Sequence, residues 1–291
     1  MSVVRDIRAE LAVDAVCVLG EGPVWWGDAL WFVDIEGRSL NRFHPSERTL
    51  ERHAVPSRIG FAVPSTRYGW VIAQDAGLVG VLPGETKPER LCEVEAPGSG
   101  TRLNDGKCDP TGRLYAGTMH LDVVEGAGSL YRLDSDTRAA RVLGGVTISN
   151  GLAWSESDGM MYYVDTSTGR IDGFDWCAET GEIDGRRPVA TVGDGAPDGM
   201  CIDGDGFLWV AVWGGSRVAC IDPRTGDEVG AVRLPCPNVT SCCFGGERLD
   251  RLWITTARFG MDNGRLAAHP EAGGVFVADV GVAGRPTVPM A

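Results

Sequence analysis

The chain has 291 residues, of which 43% are hydrophobic, and a formal net charge of −13. This apolar content predicts a folded core, and the acidic balance argues against nucleic acids and anionic membranes as partners, because both require basic surfaces. No window of about 18 apolar residues predicts a membrane span, and charges interrupt the N-terminal run MSVVRDIRAELAVDAV where a secretory signal would be apolar. We therefore expect a cytoplasmic protein, and nine cysteines without a CxxC pair predict free, mostly buried thiols.

A phrase of similar composition recurs along the chain. Each copy begins with a polar residue and a glycine, at Glu21-Gly22, Asp105-Gly106, Asn150-Gly151 and Asp198-Gly199. About ten to twelve residues later each copy reaches an aromatic residue, at Trp31, Tyr115, Tyr162 and Trp209. Two less regular copies start at Ile59-Gly60 and around Asn238–Thr240, and they lead to Trp70 and Trp253.

A third alternating run completes every copy. In chain order these runs are GRSLNRFHP, AGLVGVLPG, GSLYRLDSD, GRIDGFDWC, GSRVACIDP and GGVFVADVG. The chain thus contains six units of about 40–48 residues, each made of short Val-, Ile-, Trp- and Tyr-rich runs between Gly, Asp and Pro turns. This pattern predicts an all-β, six-bladed β-propeller with four-stranded antiparallel blades, formed by residues 1–291 as a single domain.

The segment AELAVDAVCVL precedes the first unit. We expect it to pair with the strands of the last blade near GGVFVADV, because this pairing closes the ring and removes an open sheet edge.

The polar residues of the repeated phrase predict a site. In a propeller the first strand of each blade lines the central channel, so residues in the same phase of the repeat stand on the same rim. Glu21, Asp105, Asn150 and Asp198 are therefore expected to converge, and their oxygen atoms suit a hard divalent cation. The alternative is turn chemistry, since Asp-Gly and Asn-Gly favour tight turns. Glu-Gly is a poor turn former, and the common phase of the four pairs favours a site.

Other catalytic patterns are missing from the sequence. It contains no Gly-x-Ser-x-Gly and no His-Glu-x-x-His. His120 is the one histidine beside the predicted mouth, and we interpret it as a bystander. The adjacent Cys242 and Cys243 are expected to pack in a blade strand rather than form a redox pair.

Four segments resemble a known family: RLNDGKCDPTGRLYAGTM, ISNGLAW, PDGMCIDGDGFLWVAVWGG and TSCCFGG. In this order, and from about Gly20 to the C-terminus, the chain resembles the gluconolactonase/senescence marker protein (regucalcin) family. The string GEGPVWWGDALWFVDIEGRSLNRFHP is more similar to bacterial lactonases of sugar-acid pathways than to the animal members.

The resemblance implies a propeller that holds one divalent metal cation and hydrolyses sugar lactones. The implied metal ligands are Glu21, Asn150 and Asp198. The ion itself is left open among Ca²⁺, Zn²⁺, Mn²⁺, Mg²⁺ and Fe²⁺, since oxygen sites accept several ions.

The same resemblance implies a set of substrate-binding residues. Arg102 and Asn104 match the family's positions, and Asp105 lies beside them. Asp122, where the animal proteins carry Glu, would contact sugar hydroxyls.

The expected reaction opens an aldono-1,4- or 1,5-lactone to the aldonic acid. Asp198 is the best candidate for the general base, because a carboxylate at the metal can both bind the ion and take a proton. We expect a monomer whose partner is the small lactone. The alternatives are a phosphotriesterase-like hydrolase on the same propeller and a calcium-binding regulatory protein without turnover.

Overall fold

The computed structural model describes residues 6–81, 88–133 and 138–291. Two short strands come first, β1 (Ile7–Arg8) and β2 (Glu10–Val13). Blade 1 contains β3 (Gly20–Trp26), β4 (Ala29–Asp34), β5 (Ser39–His44) and β6 (Thr49–Ala54). Blade 2 contains β7 (Ile59–Pro64), β8 (Trp70–Gln74), β9 (Gly77–Val81) and β10 (Glu89–Glu93). Blade 3 contains β11 (Thr101–Cys108), β12 (Leu114–His120), β13 (Gly128–Leu133) and β14 (Ala139–Val146).

The second half of the chain repeats this construction. Blade 4 contains β15 (Ser149–Ser155), β16 (Met160–Asp165), β17 (Arg170–Trp176) and β18 (Ile183–Thr191). Blade 5 contains β19 (Ala196–Ile202), β20 (Leu208–Trp213), β21 (Arg217–Asp222) and β22 (Asp227–Arg233). Blade 6 contains β23 (Val239–Gly245), β24 (Arg251–Thr256) and β25 (Val275–Asp279).

Helical structure is sparse in the described ranges. A 3-10 turn (Thr166–Thr168) follows β16, and the short helix α1 (Asn263–Ala268) lies between β24 and β25. No helix in the described part of the chain is long and apolar enough to cross a membrane. The six-bladed, nearly all-β architecture predicted from the repeat is confirmed.

The N-terminal segment closes the ring as predicted. Strand β2 pairs antiparallel with β25, with Leu11 opposite Phe276, and so supplies the fourth strand of blade 6. Strand β1 pairs parallel with β22, so blade 5 has five strands rather than the predicted four. The N-terminal segment therefore covers the outer edges of two neighbouring blades, which would otherwise present unpaired backbone groups.

In the described part of the chain the core forms six clusters, each packed between two adjacent blades. The repeated aromatic residues of the second strands lie in these wedges. Trp31 packs on Trp70 with ring centroids 4.6 Å apart, and Tyr115 packs on Trp154 at 5.2 Å. Such a pair stabilises by about 0.5–1.5 kcal/mol beyond its burial. The aromatic position therefore recurs because every blade must fill the same wedge against its neighbour.

The first strand of every blade faces the channel, and each of these strands contacts the first strands of both neighbours. The C-terminal tail crosses one end of this channel, which we call the lower end. Thr287 Oγ1 donates to the carbonyl of Trp25 at 3.0 Å, and the Met290 amide donates to the carbonyl of Pro64 at 2.8 Å. Between the tail and the first strands lies a pocket of about 410 Å³, the lower pocket.

All nine cysteines lie within the described ranges, and all are free thiols. Cys242 and Cys243 both lie in β23, and the side chain of Cys242 is buried among residues of blades 5 and 6. The prediction that they pack in a strand without forming a disulfide is confirmed.

Candidate functional site

Every first strand has a bulge at the same place. The pairing with the second strand shifts register between Glu21 and Val24 in β3, and between Leu103 and Gly106 in β11. The strands β7, β15, β19 and β23 shift at the equivalent position. A bulge bends the strand and redirects side chains. Glu21, Asn150 and Asp198 are thus turned toward the channel mouth, the end opposite the lower pocket.

The glycine of the repeated phrase is explained by close packing between these strands. A Cβ added to Gly151 would lie 2.6 Å from the carbonyl oxygen of Asp198, and one added to Gly60 would lie 2.5 Å from that of Leu103. All four polar-glycine pairs lie inside strands and not in hairpin turns. The turn-chemistry alternative is therefore wrong.

Two buried aspartates, to which the sequence pattern assigned no role, fix the chain just before the site. Asp34, at the end of β4, accepts hydrogen bonds from the amides of Val18 and Leu19, both at 2.9 Å. Asp165, at the end of β16, does the same for Thr147 and Ile148 at 3.0 Å. The sequence contains a signal for this role, because each aspartate follows a valine at the same position of the repeated unit.

A chain of hydrogen bonds crosses the mouth from blade 3 to blade 4. Arg102 Nη1 donates to Asn104 Oδ1 at 2.7 Å, and Asn104 Nδ2 donates to Asn150 Oδ1 at 3.0 Å. Asn150 Nδ2 in turn donates to Thr166 Oγ1 at 2.7 Å. An amide oxygen can accept twice, so Asn150 Oδ1 retains a lone pair for a cation.

The carboxylates of Glu21, Asp105 and Asp198 are buried, each with at most 9% of the residue exposed. Burial raises the pKa of Glu21 to about 8, and the nearby Asp105 carboxylate acts in the same direction. The pKa of Asp198 is raised well above its ordinary value by burial, then by Glu21 and Asp105. The three acids are therefore close enough to repel one another, and ionising them together requires a cation.

Arg102 lies beside this acidic group. Burial lowers the pKa of its guanidinium to about 10, while the charges of Glu36, Glu21 and Asp198 act in the opposite direction. Its guanidinium donates to Asn104 and to the carbonyl of Leu103, the latter at 3.0 Å. Within the described ranges, no Lys or Arg forms an ion pair with Glu21 or Asp198.

The donor set fits a hard cation. Asp198 Oδ1 is a buried oxygen that has no hydrogen-bond partner among the described residues, and such an atom is costly unless something positive approaches it. Glu21 and Asn150 supply further oxygen atoms of the kind that Ca²⁺, Mg²⁺ and Mn²⁺ prefer. No three His, Cys, Asp or Glu side chains of the described residues group around a potential metal position. The predicted ligand set is different in kind, with two carboxylates and one amide.

Asp122 is separated from these residues. It lies on the exposed loop between β12 and β13, and its amide donates to His120 Nδ1 at 3.1 Å. No contact joins its side chain to the buried network in the described structure. Asp105, by contrast, lies in the bulge of β11 and also borders the lower pocket.

The fold and the mouth together define a six-bladed propeller with a buried, acidic oxygen-donor site on its axis. Residues 19–258 match the family described as the SMP-30/Gluconolactonase/LRE-like region, and the chain belongs to this family. It is 40% identical to regucalcin of Danio rerio, with 97% of each chain covered.

Two solved structures are similar throughout. One is a calcium-binding protein, regucalcin, from Agrobacterium tumefaciens, with a TM-score of 0.94, 27% identity and full coverage of both chains. The other is a luciferin-regenerating enzyme, with a TM-score of 0.89 and 33% identity, covering 97% of this chain and 98% of the other.

Proposed function

We propose that the protein hydrolyses a sugar lactone, an aldono-1,4- or 1,5-lactone, to the aldonic acid at the channel mouth with one divalent cation. The observation that carries this proposal is the pair of buried carboxylates, Glu21 and Asp198, together with the unpartnered Asp198 Oδ1. Membership of a family whose description includes gluconolactonase supports the lactone as substrate.

Glu21, Asn150 and Asp198 would hold the cation. Such an ion supplies Lewis-acid polarisation of an ester carbonyl and lowers the pKa of bound water. The other steps fall to side chains of the protein. Asp198 would accept the proton of the attacking water, since its carboxylate is buried and carries an oxygen without a partner.

Arg102 and Asn104 would orient the substrate. Both are buried at the mouth and held by hydrogen bonds. Asn104 Nδ2 donates both of its hydrogens, to the carbonyl of Ser149 and to Asn150 Oδ1, so Asn104 has its second Oδ1 lone pair to offer to a substrate hydroxyl. The remaining guanidinium N–H groups of Arg102 have a fixed direction. Groups that are held in place before binding lose little freedom when the transition state forms. Asp105 would support this pair from the same bulge, and Asp122 would accept hydrogen bonds from sugar hydroxyls through its loop.

The test is a panel of pentono- and hexonolactones assayed for acid release above the spontaneous rate. Protein freed of metal with a chelator is measured alone and with each of Ca²⁺, Mg²⁺, Mn²⁺, Zn²⁺ and Fe²⁺. We expect activity to disappear on chelation and to return with at least one ion. Far-UV circular dichroism should be unchanged, because the core lies in six wedges away from the mouth.

Regulatory calcium binding without turnover is the second candidate, favoured by the similarity to the calcium-binding protein of Agrobacterium tumefaciens. It predicts calorimetric Ca²⁺ binding together with no acid release from any lactone of the panel. A phosphotriesterase-like activity is less favoured, because Arg102 and Asn104 make the mouth polar.

A further inference from the structure

Lys107 connects three blades at the centre of the channel. It lies in β11 of blade 3, two residues after Asp105, and it is half-buried. Its Nζ donates to the carbonyl of Leu152 in blade 4 at 3.0 Å and to the carbonyl of Met200 in blade 5 at 2.7 Å. Hydrogen bonds from a charged donor are stronger than neutral ones, so this ammonium holds strands of two other blades to its own.

The two accepting carbonyls are not arbitrary. Leu152 ends the register shift that begins at Asn150, and Met200 ends the shift that begins at Pro197 and contains Asp198. Lys107 therefore holds the far ends of the two bulges that carry these site residues. The bulges are the irregular parts of the first strands, where ladder hydrogen bonds are interrupted.

The groups around the Lys107 ammonium fit a positive charge that is held in one place. Burial raises the pKa of Asp105, and the charge of Lys107 opposes that rise more than any other group. Cys201 and Cys243 also border the lower pocket with Lys107. Arg285, a second cation that borders this pocket, lies in the tail segment and donates to the carbonyl of Trp154 at 3.3 Å.

We propose that Lys107 is a positioning residue, which ties the bulges of blades 4 and 5 together so that Asn150 and Asp198 converge on one cation. The consequence for the cation rests on the proposed function, whereas the tie between the strands does not. One measurement tests the tie between the strands, and a second tests its effect on the affinity for the cation.

The first measurement is amide hydrogen exchange of the metal-free protein. In Lys107→Met, which keeps most of the length of the side chain without its charge, exchange should rise in residues 149–152 and 196–200, the segments that contain the two bulges. Exchange in residues 20–26 of blade 1 should stay unchanged. Arg285→Met is the matched control, since it removes a cation and a carbonyl contact from the same pocket away from the bulges. Unchanged exchange in both bulged strands of Lys107→Met would overturn the proposal, whatever the protein hydrolyses.

The second measurement is calorimetric affinity for Ca²⁺ and Mn²⁺. We expect Lys107→Met to bind about tenfold more weakly or worse, the loss typical of a hydrogen bond from a charged group, and Arg285→Met to bind as the wild type does. Raised exchange with undiminished affinity would refute the link to the cation. Absence of metal binding in the wild type would refute the proposed function and leave the exchange result to decide the tie.

Chemical rescue distinguishes positioning from general loss of structure. The lower pocket beside Lys107 has room for a small ion, so n-propylammonium should restore cation affinity to Lys107→Ala. Tetramethylammonium carries the same charge but has no N–H to donate, and it should not restore it. Equal effects of the two ions would argue against a role for the carbonyl hydrogen bonds.

Discussion

The two ends of the channel are built from two halves of the same six strands, yet they differ in chemistry. At the mouth, the bulges present buried acids and amides such as Glu21 and Asn150. At the lower end, the strands are regular, their side chains are largely apolar, and the C-terminal tail covers them. The comparison shows that the bulge frees one side chain per blade from packing in the core. This side chain can differ between blades, so a repeated fold can hold an asymmetric site.

The largest effect is expected at the mouth, from Asp198→Asn. This change removes the proposed base and a charged cation ligand, and kcat should fall by at least about a hundredfold. The assay is acid release at saturating metal. Asp279→Asn, which alters an exposed carboxylate at the end of β25, is the control and should keep its activity. Near-normal turnover of Asp198→Asn would exclude this residue from the mechanism.

The second prediction concerns pH and applies to metal-free protein. The pKa of Glu21 is about 8 in the folded state and near 4.5 in the unfolded chain, so between these values the folded state binds more protons. The free energy of unfolding of the metal-free protein should therefore fall as the pH rises from about 5 to 8. We expect Tm to drop by at least about 5 °C over this window, and saturating cation to remove the drop. A Tm that is independent of pH without metal would contradict the repulsion at the mouth.

The third prediction tests the packing that brings the mouth together. A Cβ at Gly151 would meet the backbone of Asp198 and Met200, at 2.6 and 3.0 Å, and backbone cannot yield easily. Gly151→Ala should lower the free energy of unfolding in urea by about 1–3 kcal/mol and weaken cation binding. Gly193→Ala adds the same atom where no other described residue comes within 4 Å. The two variants should differ clearly, and equal stabilities would refute the close-approach explanation.

The fourth prediction concerns the lower end. Thr287→Val removes the hydrogen bond from the tail to Trp25 and should cost about 0.5–1.5 kcal/mol of unfolding free energy. Cation affinity and kcat should not change, because Trp25 lies beyond the register shift of β3 and the lost hydrogen bond does not hold a bulge. The exposed Thr49→Val serves as control for the substitution itself. A loss of cation affinity in Thr287→Val would show that the two ends of the channel are coupled.

The smallest effect is expected from Asp122→Ala, on the exposed loop. Cation affinity should stay intact, and kcat/KM should fall several-fold more for polyhydroxylated aldonolactones than for γ-butyrolactone, which has no hydroxyls to recognise. The ratio of kcat/KM for the two substrates, in wild type and variant, measures this. An equal loss of kcat/KM on both substrates would mean that Asp122 does not recognise the sugar hydroxyls.

The repeat in the sequence was sufficient to predict the propeller. Aromatic residues such as Trp31 and Tyr115 recur because each wedge between blades needs a large side chain, and this requirement is local to neighbouring units. The common phase of Glu21, Asn150 and Asp198 predicted which side chains share a rim, since strands of one kind occupy equivalent places in the ring. Pairing of the N-terminal segment with the last blade followed from the need to cover an open edge.

Other features were decided only by the tertiary structure. The sequence does not show that polar-glycine pairs form bulges rather than turns, because the distinction depends on how closely another blade approaches, as Asp198 approaches Gly151. In the sequence, Lys107 is one cation within a motif. In the folded chain, the carbonyls of Leu152 and Met200 lie beside it and accept its hydrogen bonds. The fifth strand of blade 5 and the tail across the lower pocket likewise depend on contacts between distant segments. A periodic sequence specifies what every blade shares, whereas contacts between residues far apart in the chain determine what makes one blade different from the next.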